Sequence, residues 1–172
     1  MNNTFKIGAV ILSRYSSRRL PGKALMEIEG KKVLEYIIER LLVVLEPSQL
    51  VLATSEEASD NPIADFAKKQ GIQYFRGSLE NVSDRFYQAA KAQNWDYAIR
   101  INGDNIFTDT QVLKEMITIA VKDEYDFVSN VKGRSFPKGM SIEIVNLDYY
   151  ARQLPKIEND PRYREHVTLY LY

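Results

Sequence analysis

The chain alternates short runs of contiguous apolar residues with longer stretches in which apolar residues recur at helical spacing. Residues 6–12 and 97–101 are typical of strands buried on both faces, whereas the apolar positions of residues 33–44 repeat every three or four residues. The other predicted strands are 49–53, 73–76, 125–130 and 141–146, and the other predicted helices are 61–70, 82–93, 110–122, 147–153 and 164 onward. This alternation predicts an α/β domain with a mainly parallel sheet.

The alternation of apolar runs and helical stretches also predicts the number of domains. No internal repeat, low-complexity tract or linker interrupts it, so we expect a single domain over residues 1–172. The sequence stops on the apolar run Leu169-Tyr170-Leu171-Tyr172, whereas natural termini are usually polar. We therefore expect either that the chain continues beyond Tyr172 or that a partner covers this run.

Composition and charge narrow the function classes. Hydrophobic residues make up 45% of the 172 residues and charged residues 27%, as in soluble globular proteins. Basic and acidic residues balance at 23 each, so no global field attracts nucleic acid or an acidic membrane. The early apolar run 7–12 is far shorter than the ~20 residues of a membrane span. We expect neither a nucleic-acid partner nor a membrane partner.

Cysteine is absent, which excludes disulfides, thiolate metal sites and a cysteine nucleophile. The single histidine, His166, excludes a His-rich metal site and disfavours a histidine-based triad. A reduced, cytoplasmic location is predicted. The first 26 residues carry five basic residues and no acid, so an organellar transit peptide is the alternative. Contiguous apolar residues and the pair Pro21-Gly22 argue against that amphipathic leader.

The loop after the first predicted strand is rich in cations. Residues 13–23 contain three arginines, one lysine and three serines, at the strand end where open α/β sheets bind ligands. Arginine forks and a mobile lysine suit phosphate oxygens, although a solvated basic loop is the plain alternative. Neither a P-loop pattern nor Gly-x-Gly-x-x-Gly occurs, which excludes P-loop ATPases and dinucleotide dehydrogenases.

Asp104 follows the predicted strand 97–101 through Asn102-Gly103 and so falls at the same sheet edge as the basic loop. A carboxylate opposite phosphate-binding cations suits Mg²⁺, which takes only one or two protein carboxylates. The alternative is an aspartate that caps its own turn.

The basic loop and several later segments match the sequence motifs of a known family. The sequence Arg14-x-x-Ser17-x-Arg19-Leu20-Pro21-Gly22-Lys23-x-Leu25 resembles the nucleotide-binding loop of the sugar-acid cytidylyltransferase family. The branch named for spore-coat polysaccharide biosynthesis, related to the acylneuraminate and Kdo cytidylyltransferases, is the most similar. Further matching motifs follow in order at 51–55, 75–78, 82–90, 100–105, 136–139 with Glu143, and 164–168. The resemblance covers essentially the whole chain.

This resemblance implies a three-layer, Rossmann-like nucleotidyltransferase fold of the nucleotide-diphospho-sugar transferase type. It implies Mg²⁺-dependent transfer of CMP from CTP to a sugar or sugar acid with release of pyrophosphate, for cell-surface polysaccharide or glycan biosynthesis, by a homodimer. One alternative is a nucleotide-sugar-dependent glycosyltransferase, although Asp104-Asn105-Ile106 lacks the Asp-x-Asp motif usual there. Another is a non-catalytic nucleotide-binding relative, since Ser141 stands where this branch typically carries Asp.

The resemblance also assigns roles to individual residues. The residues assigned to catalysis are Arg14, Arg19, Lys23 and Asp104, with Asp104 as the magnesium ligand. The residues assigned to the nucleotide are Leu12, Ser13, Arg14, Tyr15, Ser17, Arg19, Lys23, Ala53, Thr54, Ser55, Ser78, Arg85 and Asp104. The residues assigned to the acceptor substrate are Arg100, Asn102, Glu143, Arg164 and His166.

Overall fold

A six-stranded sheet forms the centre of the protein in a computed structural model that describes residues 5–16, 20–122, 125–133 and 135–172. Its strands are β1 (Ile7–Leu12), β4 (Leu50–Ser55), β5 (Gln73–Gly77), β6 (Tyr97–Asn102), β7 (Phe127–Ser129) and β8 (Glu143–Asn146). They pair in the order β5-β4-β1-β6-β8-β7. The pairings among β5, β4, β1 and β6 are parallel, and β8 runs antiparallel to both β6 and β7. The predicted mainly parallel sheet is confirmed.

A two-stranded hairpin, not predicted from the sequence, precedes the first helix. It pairs β2 (Glu27–Ile28) with β3 (Lys31–Lys32) through the two residues Glu29 and Gly30. Both have positive φ, 48° and 79°, as the tightest hairpin turns require. Glycine adopts such a φ freely but glutamate does not, and strands of two residues carry no hydrophobic alternation to predict them.

The helices lie close to their predicted positions, with differences at the carboxyl-terminal end of the chain. They are α1 (Val33–Leu42), α2 (Asn61–Lys69), α3 (Val82–Lys91), α4 (Thr110–Val121), α5 (Leu147–Ile157) and α6 (Pro161–Glu165). Helix α5 continues past the predicted end to include Pro155. The prediction of a helix from residue 164 onward was wrong. Helix α6 begins earlier, because the Asp160 side chain accepts from the Arg162 amide at 2.8 Å, and it ends at Glu165.

The core lies on both faces of the sheet and gives the protein three layers. Alternate residues of β1 point to opposite faces. Ile7, Ala9 and Ile11 pack in the cluster that contains residues of α1, α2 and α4. Val10 and Leu12 pack in the cluster that contains residues of α3 and α5. The predicted three-layer fold is confirmed.

The order of the strands positions a crevice beside the end of β1. The chain places β4 on one side of β1 and later β6 on the other, which is the topological switch point where open α/β sheets bind ligands. Backbone bonding continues past the strand ends, since the Ser13 amide donates to the Ala53 carbonyl at 3.1 Å. The Gly103 amide donates to the Leu12 carbonyl at 2.8 Å. The carboxyl ends of β4, β1 and β6 are therefore fixed side by side.

Among the helices of these described residues, none has the length and apolar character needed to cross a lipid bilayer.

Gly8 of β1 gives a test of the packing on one face of the sheet. A Cβ atom at Gly8 would lie 2.2 Å from the Trp95 ring, so Gly8→Ala forces the ring or the strand to move. We expect a loss of about 2 kcal/mol in the free energy of unfolding, measured by urea denaturation. Trp95→Leu, which makes room, is the matched second change. The double variant is expected to lose less than the sum of the two single losses, and strict additivity would contradict the contact.

Candidate active site

A polar cleft of about 430 Å³ opens at the carboxyl ends of β1 and β6. The residues that line it are Leu12, Ser13, Arg14, Lys23, Val82, Arg85, Arg100, Asn102, Gly103, Asp104, Glu165 and His166. All of these except Val82, Gly103 and Glu165 were assigned to a ligand from the sequence. The cleft thus brings together half of the residues predicted to act on nucleotide and acceptor.

At the mouth of the cleft, Lys23 forms an ion pair with Asp104, 81 positions further along the chain. The loop returns to this point because the Gly22 amide donates to the Tyr15 carbonyl at 2.8 Å, and Gly22 has a φ of 72°. Both paired side chains remain partly exposed, 29% for Lys23 and 45% for Asp104. An incoming anion or cation can therefore reach either partner.

Gly103 lets the turn that carries Asp104 approach the loop closely. A Cβ atom there would lie 2.8 Å from both Cβ and Oγ of Ser13 and 3.0 Å from the Leu12 carbonyl oxygen. Any larger residue would push these two segments apart. Gly103 lies within the quoted motif 100–105, but a motif alone does not indicate this close approach.

Arg85 in the first turn of α3 is a buried cation, with 2% of its surface exposed. One of its terminal nitrogens donates to the Ser78 carbonyl at 2.5 Å, while its Nε is buried with no hydrogen-bond partner among the described residues. Burial lowers the pKa of Arg85 to about 10; Asp60 opposes this shift and Arg14 adds to it. Arg85 is thus a desolvated donor at the cleft that an anionic ligand would satisfy.

Arg100 and Glu143 face each other across the β6–β8 pairing and form a salt bridge. Glu143 is 3% exposed, and its other oxygen accepts from the Thr168 and Tyr172 hydroxyls at 2.7 Å each. Burial raises the pKa of Tyr172, so its hydroxyl remains a donor. Glu143 does not line the cleft. Its carboxylate contacts Arg100 and two hydroxyl groups, and it is not positioned to contact an acceptor in the cleft directly, as the resemblance had implied.

Several residues assigned to the nucleotide or acceptor lie outside the cleft lining. Ala53, Thr54 and Ser55 are fully buried at the end of β4, and Ser78 contributes its carbonyl to Arg85. The Tyr15 ring lies next to Gly22. Ser17 and Arg19 lie outside the described residues.

Arg164 lines a second cavity of about 380 Å³ that adjoins the cleft. Arg14 and Glu165 line both cavities. Between them, the Arg14 side chain lies 3.5 Å from a carboxylate oxygen of Glu165. Glu165 lies within the quoted motif 164–168 but was not predicted to act at the site, whereas the neighbouring lone histidine His166 was.

The donor set of the cleft is compatible with a magnesium ion. The described residues contain no group of three or more His, Cys, Asp or Glu side chains that could hold a metal by themselves. Mg²⁺ usually keeps several waters and binds through one or two carboxylates plus substrate phosphates. The partly exposed carboxylate of Asp104, next to a cationic loop, fits that requirement.

A three-layer fold with a cationic cleft at its switch point fits a protein that binds a phosphorylated ligand. A family model described as cytidylyltransferase matches residues 9–172. The chain therefore belongs to the cytidylyltransferase family, which confirms the resemblance inferred from its motifs.

Individual relatives agree with this assignment. The spore coat polysaccharide biosynthesis protein SpsF of Bacillus subtilis is 32% identical over 169 residues, which cover 94% of this chain and 68% of SpsF. The structure of a cytidylyltransferase from Leptospira borgpetersenii is 32% identical with a TM-score of 0.88, covering 97% of this chain and 71% of that one. A CMP:2-keto-3-deoxy-manno-octonic acid synthetase complexed with CTP shares the fold, with a TM-score of 0.71, 17% identity, and coverage of 96% of this chain and 83% of that one.

The Arg100–Glu143 pair gives a stability test. Glu143→Gln removes the charge and turns an amide NH₂ group toward a guanidinium or a hydroxyl donor, so one donor loses its acceptor. We expect a loss of about 3 kcal/mol in the free energy of unfolding, measured by urea denaturation. The matched control is Glu115→Gln on the exposed face of α4, expected to change stability by less than about 0.5 kcal/mol. Equal effects of the two changes would contradict a buried ion pair.

Proposed function

We propose that this protein transfers CMP from CTP to a hydroxyl of a sugar or sugar acid and releases pyrophosphate, in the biosynthesis of a surface polysaccharide or glycan. The observation that carries the proposal is the meeting of Lys23, Asp104 and Arg85 in one cleft at the switch point. The names of relatives support the finer assignment: SpsF acts in spore coat polysaccharide biosynthesis, and the octonic acid synthetase was solved with CTP.

In the proposed reaction, the acceptor oxygen attacks the α-phosphorus of CTP in line with the leaving pyrophosphate. The bond from the α-phosphorus to the bridging oxygen breaks, and the hydroxyl proton passes to solvent in the open cleft. Catalysis of such transfers consists mainly of positioning and charge stabilisation. The cleft supplies these through cations on the segment after β1, on α3 and on β6, without any covalent role for the protein.

The triphosphate would lie against the loop after β1. Arg14 and Lys23 contact the β- and γ-phosphates and stabilise the charge on the leaving pyrophosphate, and Ser13 adds a hydrogen bond. Ser17 and Arg19 follow in the same segment of the sequence, and the proposal assigns them to the phosphates as well. When bound at Asp104, Mg²⁺ supplies charge neutralisation for the phosphate oxygens. Lys23 then exchanges its contact with Asp104 for one with a phosphate.

The acceptor would lie at the β6 side of the cleft. Arg100 presents a guanidinium whose Nε is buried with no hydrogen-bond partner among the described residues, and Asn102 and His166 add polar groups. The salt bridge to Glu143 holds Arg100 in place for a carboxylate or hydroxyl of the acceptor. A homodimeric state, on the family resemblance alone, and a cytoplasmic location, on the absence of cysteine, complete the proposal.

Binding of the nucleotide is tested first by separate calorimetric titrations of CTP, GTP, UTP, ATP and a nucleoside diphosphate-sugar, in the presence and absence of Mg²⁺. We expect selective, Mg²⁺-dependent CTP binding that Asp104→Ala weakens about 100-fold, because the metal loses its protein carboxylate. Asp126→Asn, an exposed aspartate outside the cleft lining, is the matched control. Preference for a nucleoside diphosphate-sugar would instead favour a glycosyltransferase, and failure to bind any of these nucleotides would overturn the proposal.

Catalysis is tested by Lys23→Met in an assay for pyrophosphate release with a panel of sugar acids and neutral sugars. Loss of a cation that contacts the departing pyrophosphate should lower kcat about 100-fold. The control is Lys31→Met, which removes a lysine from the exposed hairpin where it pairs with Glu39. A kcat within twofold of the wild-type value for Lys23→Met would remove Lys23 from the mechanism.

A further inference from the structure

Asp60 is a fully buried carboxylate with no role in the reaction described so far. It ends the short 3₁₀ turn Ala58–Asp60 and immediately precedes α2, with none of its surface exposed. It is not among the residues that line the cleft. A buried charge is costly unless its bonds are satisfied, so the groups that satisfy it show what it holds in place.

The carboxylate of Asp60 joins two separate segments at the edge of the cleft. Its Oδ1 accepts from the backbone amide of Tyr15 at 2.6 Å. Its Oδ2 accepts from the backbone amide of Ser55 at 2.9 Å and from the hydroxyl of the same residue. Tyr15 directly follows Ser13 and Arg14, two residues of the cleft lining. Asp60 therefore ties the basic loop to the end of β4.

A plain helix-capping role does not account for these contacts. Asp60 occupies the N-cap position of α2, where aspartate usually accepts from an amide of the helix's own first turn. Its side chain makes no such cap bond. The contacts described for the carboxylate go to the loop after β1 and to β4 instead.

The charge of Asp60 also acts on the cleft. Burial by itself would raise the pKa of Asp60, but the hydrogen bonds from Ser55 and Tyr15 outweigh it and leave the pKa lowered, so the group is ionised. That charge favours the cationic form of buried Arg85, against the effect of burial and of Arg14. One carboxylate thus supports two cleft cations, Arg14 through the backbone and Arg85 through space.

We propose that Asp60 is a positioning residue for Arg14 in the phosphate-binding loop. It fixes the loop at Tyr15, so that the adjacent Arg14 faces the cleft. The ligand half of this inference rests on the proposed function, whereas the loop half does not.

The loop half is tested by hydrogen exchange at single amides in the protein without ligand, followed by NMR. In Asp60→Asn the Tyr15 amide either faces the new NH₂ group or donates to a neutral oxygen instead of a charged one, so its bond is lost or weakened in either orientation of the side chain. We expect the Tyr15 amide to exchange at least about tenfold faster, since bonds to charged groups are among the stronger ones. The amides of β1 should keep their wild-type rates. Asp65→Asn, the removal of an exposed carboxylate on the same helix, is the matched control.

The ligand half is tested by titration of CTP with Mg²⁺ on the same variants. Asp60→Asn is expected to raise Kd about tenfold, and in an Arg14→Gln background the same change is expected to raise it less than threefold, because the residue that it positions is gone. A purely structural role would lower global stability in urea denaturation without this coupling. If Asp60→Asn does not fold, Ser55→Ala, which removes one donor and keeps the charge, is expected to speed exchange at Tyr15 a fewfold.

The outcomes distinguish the positioning of the loop by Asp60 from the effect of that positioning on nucleotide binding. Unchanged exchange at Tyr15 overturns the positioning role. Faster exchange with an unchanged Kd overturns its link to the ligand. If the wild-type protein binds none of the nucleotides, the proposed function fails together with the ligand half, and the exchange rates alone decide whether Asp60 positions the loop.

Discussion

The central position of β1 is the constraint on which the site depends. This strand is buried on both faces and hydrogen-bonded on both edges, to β4 and to β6. The bonding extends one residue past the strand on either side, through Ser13 and Gly103. The basic loop and the Asp104 turn therefore leave the sheet from adjacent fixed points. Because the sheet sets these exits, the segment after β1 brings Lys23 to a carboxylate that is 81 positions away in sequence.

A second feature of the molecule is the presence of buried carboxylates that act on the arginines of the cleft. Arg85 and Arg100 line the cleft, and each has a buried Nε without a described hydrogen-bond partner. Two acids, Asp60 and Glu143, are almost inaccessible to solvent. Glu143 pairs with Arg100, and the charge of Asp60 favours the cationic form of Arg85, so each acid offsets part of the cost of burying a cation. The salt bridge restricts where Arg100 points, and the bond to the Ser78 carbonyl does so for Arg85, so the cleft is organised for an anion before any anion arrives.

Much of the fold was predictable because its signals are local. Contiguous apolar runs identified β1 and β6, and the ordered motifs identified the family before any geometry was known. The site was harder, because a motif names a residue without giving the direction of its side chain. The alternating pattern around Glu143 would be the same if its side chain faced a ligand. The pairing of β6 with β8 instead places it opposite Arg100, with which it forms a salt bridge. Asp60 gave no signal at all, since its partners are backbone groups of distant segments.

The pairing of β1 with β6 also governs when the site comes into existence. The register joins Ile7 to Tyr97, and the Lys23–Asp104 contact closes a loop of 81 positions. Contacts so far apart in sequence carry a large loop-closure cost and form late in folding. During synthesis, the basic loop emerges long before the strand that completes its surroundings. Until β6 is made, one edge of the most apolar strand has no partner, and unpaired edges of this kind invite association with other chains. The strand from which the basic loop leaves is therefore protected on both edges only after residues 97–102 have been synthesised.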